Sequence, residues 1–158
     1  MMYSVLAESP ESEEHKITKH LGDISELELS TVGFPRRIGG LDEVVSALSG
    51  FLRDRKDECL VVLHVSEQME HLQFTCHRGD QVSVAVPTRK IIADAAELGT
   101  KGIILAHNHP SGDSAPSEAD LRLTRHLAEA CELLDVSVLD HLIFGQNRWT
   151  SLRQKGFL

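Results

Sequence analysis

The sequence predicts an α+β protein in which helices pack against a mixed β-sheet. Short apolar runs of strand length, such as Cys59–Val65, alternate with segments in which apolar residues recur at helical spacing. Apolar residues make up 41% and charged residues 25% of the 158 positions, as is typical of a folded globular chain. This length suits one domain with a sizeable core.

The predicted elements follow one another from residue 41 onward. Apolar residues at helical spacing predict a first helix over 41–54, and a β-branched run predicts a central strand at Cys59–Val65. The expected elements after it are strands at 70–77 and 82–86 joined by a turn at 78–80, a helix over 88–98 closed by Gly99, a strand at 102–106, a loop at 108–116, a helix from Ser117, a strand at 136–144 and a short last piece at 148–152. This order favours a mixed sheet with helices packed on it.

The negative charge of the chain is concentrated near its start. The sequence has 16 basic and 24 acidic side chains, a net charge of −8, and residues 1–30 contribute −5 of it. We therefore expect an acidic, partly flexible N-terminal lead-in over 1–40, with a short strand or arm at 24–29, and a folded domain over 41–158. An acidic chain with few aromatic residues lacks the basic face and the stacking surface of a general nucleic-acid-binding protein.

Cysteine use and the pattern of apolar residues indicate a cytoplasmic protein. Cys59, Cys76 and Cys131 lie far apart without a Cys-x-x-Cys pair, so we expect reduced thiols rather than disulfides. The first residues have neither the basic nor the apolar region of an export signal. Because no stretch approaches the ~18 consecutive apolar residues of a membrane span, we expect no membrane partner.

Most of the residues that suit catalysis lie between His107 and Asp120, in the string HNHPSGDSAPSEAD. In extended backbone, residues i and i+2 point to the same side, so the imidazoles of His107 and His109 converge while Asn108 faces away. Asp120, at the start of the next helix, would add a carboxylate. Three protein ligands with a fourth position left open are typical of catalytic zinc. Alternatively, Ser117 and Asp120 are only a helix-start pair with Ser117 as N-cap.

This string resembles a known family signature. The pattern His-x-His, seven residues, Ser, two residues, Asp is similar to the JAMM metalloprotease motif of MPN (JAB) domains, and the whole string resembles the RadC-like bacterial branch. The resemblance covers about residues 41–158 and includes the segment 139–142 in the strand after the last long helix. It implies an MPN/JAB-like mixed sheet flanked by helices, with the layered architecture of cytidine deaminases, and Zn²⁺ held by His107, His109 and Asp120.

The same resemblance implies two catalytic residues. The family has a glutamate at the start of an upstream strand that acts as general acid/base, and the equivalent here is Glu58, with Asp57 as its nearest competitor. From the charged run 53–58 alone, Glu58 would simply face solvent. By the resemblance, Ser117 would donate a hydrogen bond to the oxyanion. His141 either orients a metal ligand or is a hydrogen-bonded structural histidine.

Three functions follow from these observations. The leading hypothesis is a zinc-dependent metallopeptidase or isopeptidase acting on a peptide or isopeptide substrate. The alternative is a DNA-repair-associated accessory protein without peptidase activity, as the name of RadC-like proteins suggests, although residues 1–40 are too short and too acidic for the helical DNA-binding module of relatives. A metal-free interaction domain ranks last because the motif is complete. Strands at a sheet edge could also pair across a homodimer.

Overall fold

The computed structural model describes residues 32–78 and 88–158 of the chain. This part contains three helices and five strands, which we number in chain order. They are α1 (Leu41–Leu52), β1 (Cys59–Val65), β2 (His71–Arg78), α2 (Thr88–Glu97), β3 (Gly102–Asn108), α3 (Glu118–Glu132), β4 (Ser137–Phe144) and β5 (Trp149–Ser151). None of the helices described is long and apolar enough to cross a membrane.

The five strands form one mixed sheet in the order β2-β1-β3-β4-β5. Strand β1 is antiparallel to both β2 and β3, and β5 is antiparallel to β4. Strands β3 and β4 are parallel, and α3 forms the crossover that a parallel pair requires. The predicted α+β class is therefore confirmed, and the arrangement is consistent with a JAB/MPN-like fold. Within the described residues β2 and β5 are the edge strands, and pairing across a homodimer stays a prediction.

Helices cover both faces of the sheet, which explains why β1 is apolar along almost its whole length. Alternate residues of β1 belong to two different cores. One core lies between the sheet and α1, and its buried members include Val44, Leu48, Leu52, Val61, Leu63, Ala106 and Phe144. The other lies between the sheet and helices α2 and α3, and its members include Leu60, Val62, Ile91, Leu105, Leu127 and Cys131.

The observed boundaries follow the predicted ones closely. Helix α1 ends two residues before the predicted end, and β2 is shifted by one residue from 70–77. Strand β3 continues two residues beyond 106, because His107 pairs with Leu60 of β1 and Asn108 pairs with Phe144 of β4. The predicted strand at 82–86, most of the turn at 78–80, the arm at 24–29 and most of the lead-in lie outside the described residues.

The prediction of three reduced cysteines is wrong for two of them, because Cys59 and Cys76 form a disulfide. They are 17 residues apart in sequence but lie diagonally opposite on the antiparallel pair of β1 and β2, with their Cα atoms 6.6 Å apart. This pairing depends on strand register, which the spacing of cysteines does not show. Cys131 is free and buried, and burial raises the pKa of its thiol. The cytoplasmic location stays a prediction, now without the support of three reduced thiols.

We expect reduction of the disulfide to lower the free energy of unfolding by about 3 kcal/mol, because a cross-link that closes a loop of this length restricts the unfolded chain. Urea denaturation with and without dithiothreitol, in the presence of a metal chelator, measures the difference. The Cys59→Ala/Cys76→Ala double variant is the control, since the reductant should not change its stability. Equal stability of the unmodified protein in both conditions would contradict the disulfide.

Stability should also depend on the protonation of His64, which lies fully buried on β1 with its Nδ1 3.1 Å from Oγ1 of Thr100. Burial lowers the pKa of His64 from 6.5 to about 4. Between pH 6.5 and about 4 the unfolded chain therefore takes up a proton at His64 that the folded protein excludes. The free energy of unfolding falls over this range as the pH is lowered. The loss attributable to His64 should reach roughly 3 kcal/mol.

The free energy of unfolding, measured in denaturant between pH 7 and pH 4, tests this expectation by difference. In the variant His64→Gln, the free energy of unfolding should fall less steeply with decreasing pH than in the unmodified protein. The exposed His126 provides the matched control, and His126→Gln should leave the slope as it is. If the slopes of all three proteins coincide, His64 does not contribute as stated.

Candidate metal centre

Three side chains that suit a metal ion converge where β3 ends and α3 begins. The Nε2 atoms of His107 and His109 are 2.9 Å apart. Nε2 of His107 lies 3.1 Å from Oδ1 of Asp120, and Nε2 of His109 lies 3.3 Å from Oδ2 of the same carboxylate. All three ligand atoms lie within 4.8 Å of one another. The fold thus brings together the three residues that the sequence motif singled out.

The two histidines are held by different elements. His107 lies within β3 between two neighbouring strands, opposite Leu60 of β1 and Ile143 of β4, and is almost fully buried. His109 follows the end of the strand, and its backbone N–H donates to the carbonyl oxygen of Phe144 at 2.9 Å. Because the sheet fixes the backbone at both positions, the alternation of β3 directs both imidazoles to the same side.

The loop 110–116 after the histidines is docked on the turn between β4 and β5. Gly112 adopts a φ of 85°, which favours glycine, and its carbonyl oxygen accepts the backbone N–H of Gln146 at 3.0 Å. A Cβ atom on Gly145 would clash with the carbonyl oxygen of Gly112. The close approach of these two backbones therefore requires glycine at position 145 and fixes the path of the loop.

Ser117 and Asp120 form the capping box of α3. Oγ of Ser117 accepts the backbone N–H of Asp120 at 3.1 Å, and the backbone N–H of Ser117 donates to Oδ2 of Asp120 at 2.7 Å. The helix-start interpretation is therefore correct, and it is compatible with metal binding because the same carboxylate contacts both imidazoles. Ser117 is exposed beside the site. Its role at an oxyanion stays a prediction.

His141, whose role the sequence left open, lies directly behind His107. Nε2 of His141 is 2.8 Å from Nδ1 of His107, and its Nδ1 is 2.6 Å from Oγ1 of Thr124. The Thr124 hydroxyl donates its proton to the carbonyl oxygen of Asp120 at 2.7 Å. It must then accept the proton of His141 Nδ1, so His141 Nε2 accepts from His107 Nδ1. In the neutral ring that a metal ligand requires, this chain of hydrogen bonds leaves Nε2 of His107 without a proton and directed into the site.

Burial favours a neutral His141, since it lowers the pKa of this fully buried imidazole well below its ordinary value. The sequence did not predict that His107, His141 and Thr124 form one chain of hydrogen bonds. One signal was available, because Thr124 is four residues after Asp120 and so shares its helix face. Asp140, the neighbour of His141, does not reach the site. Its carboxylate accepts the backbone N–H of His141 and the hydroxyl of Ser151 instead.

The cluster favours a positive charge at its centre. Burial alone would raise the pKa of Asp120, but its interactions with His107 and His109 hold that pKa far below the usual range. The contact with Asp120 in turn raises the pKa of His109. Nδ1 of His109 lies 2.8 Å from the carbonyl oxygen of Asp113, to which it donates, so Nε2 is the nitrogen that faces the site, and it carries a lone pair in the neutral ring that a metal ligand requires. Two imidazole nitrogens and an ionised carboxylate form a donor set that fits a divalent metal ion.

Glu58 immediately precedes β1, the antiparallel neighbour of β3, and is half-buried. Its carboxylate is near enough to His109 to contribute to the raised pKa of that residue. Within the described part of the chain this carboxylate makes no hydrogen bond. The carboxylate of Asp57, by contrast, pairs with Arg55 at 3.4 Å and with Arg78 at 3.1 Å. The geometry therefore favours Glu58 over Asp57 as the acid/base candidate.

Comparisons with known proteins agree with the motif. A family model described as "RadC-like JAB domain" matches residues 38–157. Two proteins named "UPF0758 protein", from two strains of Acidithiobacillus ferrooxidans, are each 41% identical over 125 residues, which is 77% of this chain and 56% of theirs. A protein of the same name from Photobacterium profundum is 40% identical over 112 residues, 70% of this chain and 50% of its own. The chain thus spans about half the length of the curated relatives it matches.

We expect Thr124→Val to weaken metal binding by about 10- to 100-fold, because His141 then loses the hydroxyl that fixes its tautomer and orientation. Competition with a chromophoric zinc chelator measures the affinity. Ser49→Ala is the matched control, since Oγ of Ser49 makes the same kind of bond to the carbonyl oxygen four residues earlier, at 2.6 Å, but on α1. Equal zinc affinity in Thr124→Val and Ser49→Ala would contradict the orienting role.

Proposed function

This chain belongs to the RadC-like JAB domain family, and we propose that it is a zinc-dependent metallopeptidase or isopeptidase that cleaves amide bonds. The observation that carries this proposal is the convergence of His107, His109 and Asp120 beside a carboxylate, Glu58, that makes no hydrogen bond within the described residues. The substrate class that we propose is a peptide or an isopeptide.

The ligand set supports zinc over the hard divalent cations. Imidazole nitrogens suit zinc, whereas magnesium and calcium take oxygen ligands. When bound there, zinc supplies a Lewis acid that polarises a carbonyl group and lowers the pKa of water toward ~7. A set of three protein ligands, rather than the four of a structural site, is typical of zinc sites that catalyse hydrolysis.

The roles of the surrounding side chains follow from their contacts. Glu58 takes a proton from the attacking water and later delivers it to the leaving amine, a role for which its carboxylate is not engaged elsewhere in the described structure. Oγ of Ser117 already accepts the N–H of Asp120, so its hydroxyl proton is the part that can donate to a developing oxyanion. A single donor of this kind typically contributes ~10²–10³ in rate.

We expect purified protein to hold one zinc ion per chain and His109→Ala to lose it, whereas Glu58→Gln should keep the zinc but lose activity by about 10²–10⁴-fold. Zinc content is measured by atomic emission, and turnover with a fluorescence-quenched peptide library and an isopeptide-linked peptide pair. Asp57→Asn is the matched control for Glu58, since it changes the adjacent carboxylate, which pairs with arginines, and it should lose far less activity than Glu58→Gln.

Two results would count against the proposal. Full zinc content in His109→Ala would remove the metal site. Equal turnover in Glu58→Gln and the unmodified protein would assign the acid/base role to another group, and a larger loss in Asp57→Asn than in Glu58→Gln would assign it to Asp57.

A further inference from the structure

We infer that Asn108 is a positioning residue for Glu58, because its carboxamide binds the backbone on both sides of that glutamate. This inference rests on the proposed function, because it takes Glu58 as the general acid/base. Asn108 stands between the ligands His107 and His109, and a single side chain would thus fix the distance between the base and the metal ligands.

The hydrogen bonds of the Asn108 carboxamide to the backbone on both sides of Glu58 form what we call the Asn108 clamp. Its Oδ1 accepts the backbone N–H of Cys59 at 2.9 Å, and its Nδ2 donates to the carbonyl oxygen of Asp57 at 2.9 Å, with a longer contact of 3.4 Å to the carbonyl oxygen of Arg55. Asn108 is 2% exposed. The two short bonds require an acceptor and a donor on the same planar group, which an amide side chain provides and a carboxylate does not.

The position of Asn108 in the sheet explains why a side chain is needed there. The antiparallel pairing of β1 with β3 ends at Leu60 opposite His107, and Asn108 is one residue further on, where the chain leading into β1 is no longer paired with β3. On its other side Asn108 is still paired with Phe144 of β4. The carboxamide of Asn108 therefore continues the connection between β1 and β3 one residue beyond their backbone pairing, to the residues that flank Glu58.

Both neighbours of Glu58 are held a second time. Cys59 is linked to Cys76 of β2 by the disulfide, and the Asp57 carboxylate pairs with Arg78 of β2. The backbone at 57 and 59 is thus fixed, while the Glu58 carboxylate makes no hydrogen bond within the described residues. A fixed backbone with an unengaged carboxylate is what a general base requires, since a displacement of about 1 Å can cost ~10²-fold in rate.

The test separates positioning of the base from general stabilisation and from positioning of the metal. In Asn108→Ala we expect unchanged zinc affinity, faster amide hydrogen exchange over residues 55–60, and a kcat lowered by about 10²-fold with KM little changed. In a Glu58→Gln background the same substitution should lower kcat no further, because the residue it positions is already lost.

Two further variants support the test. Asn108→Asp keeps the acceptor for Cys59 but cannot donate to Asp57, and it serves with the same readouts if the alanine variant does not fold. Thr100→Val is the control for stability, since it removes another buried side-chain hydrogen bond, the one to His64, away from the site. It should lower stability without the loss of kcat.

Several results would overturn the inference. Zinc affinity that falls together with kcat would assign Asn108 to the ligands rather than to Glu58, and an equal proportional loss of kcat in the Glu58→Gln background would make its effect independent of Glu58. If the unmodified protein cleaves no probe, the proposed function fails, but hydrogen exchange and zinc affinity still test whether Asn108 fixes the backbone around Glu58. Faster exchange over 55–60 with unchanged zinc affinity supports the inference, and unchanged exchange overturns it.

Discussion

The hydrogen bond between Nδ1 of His107 and Nε2 of His141 joins the core of the protein to the candidate metal centre. Both histidines lie on the parallel pair of β3 and β4, and both are buried. Burial lowers the pKa of His141 well below its ordinary value, and a neutral His141 accepts one proton from Nδ1 of His107 in a fixed direction. The strand register places the two rings within hydrogen-bond distance, and Thr124 fixes the tautomer of His141. The bond between the rings then directs Nε2 of His107 into the site. A shift of β3 against β4 by one residue would abolish the ligand without changing any residue.

The end of β3 places three consecutive residues in two different roles. His107 and His109 point to one side and supply ligand atoms, whereas Asn108 points to the other side and binds the backbone of Asp57 and of Cys59, the first residue of β1. This division follows from the two-residue period of extended backbone. Any movement of this strand end would therefore shift the ligands and the Asn108 clamp together. The disulfide adds a tie from the same segment to β2.

Local patterns predicted much of this structure. The helix and strand boundaries and the N-cap at Ser117 depend on spacings of a few residues, and the convergence of His107, His109 and Asp120 was predicted from one string of 14 residues. The bond between Asn108 and Asp57 joins residues 51 positions apart, and the contact between Thr124 and His141 joins residues 17 apart. Such contacts depend on strand order and register, and so does the disulfide that the cysteine spacing did not predict. Asp57 and Glu58 are chemically similar neighbours, and the ion pairs of Asp57 with Arg55 and Arg78, together with the interaction of Glu58 with His109, distinguish them.

Asp120 shows why structural and functional interpretations of a motif need not exclude each other. Its Oδ2 accepts the N–H of Ser117 at the start of α3, where the partial positive charge of the helix N-terminus also stabilises an anion. The contacts with His107 and His109 lower the pKa of Asp120 most, and the bond from the N–H of Ser117 lowers it further and orients the carboxylate. A ligand that is already oriented loses little conformational freedom on binding a metal ion. The capping box therefore stabilises the helix and orients the ligand at the same time.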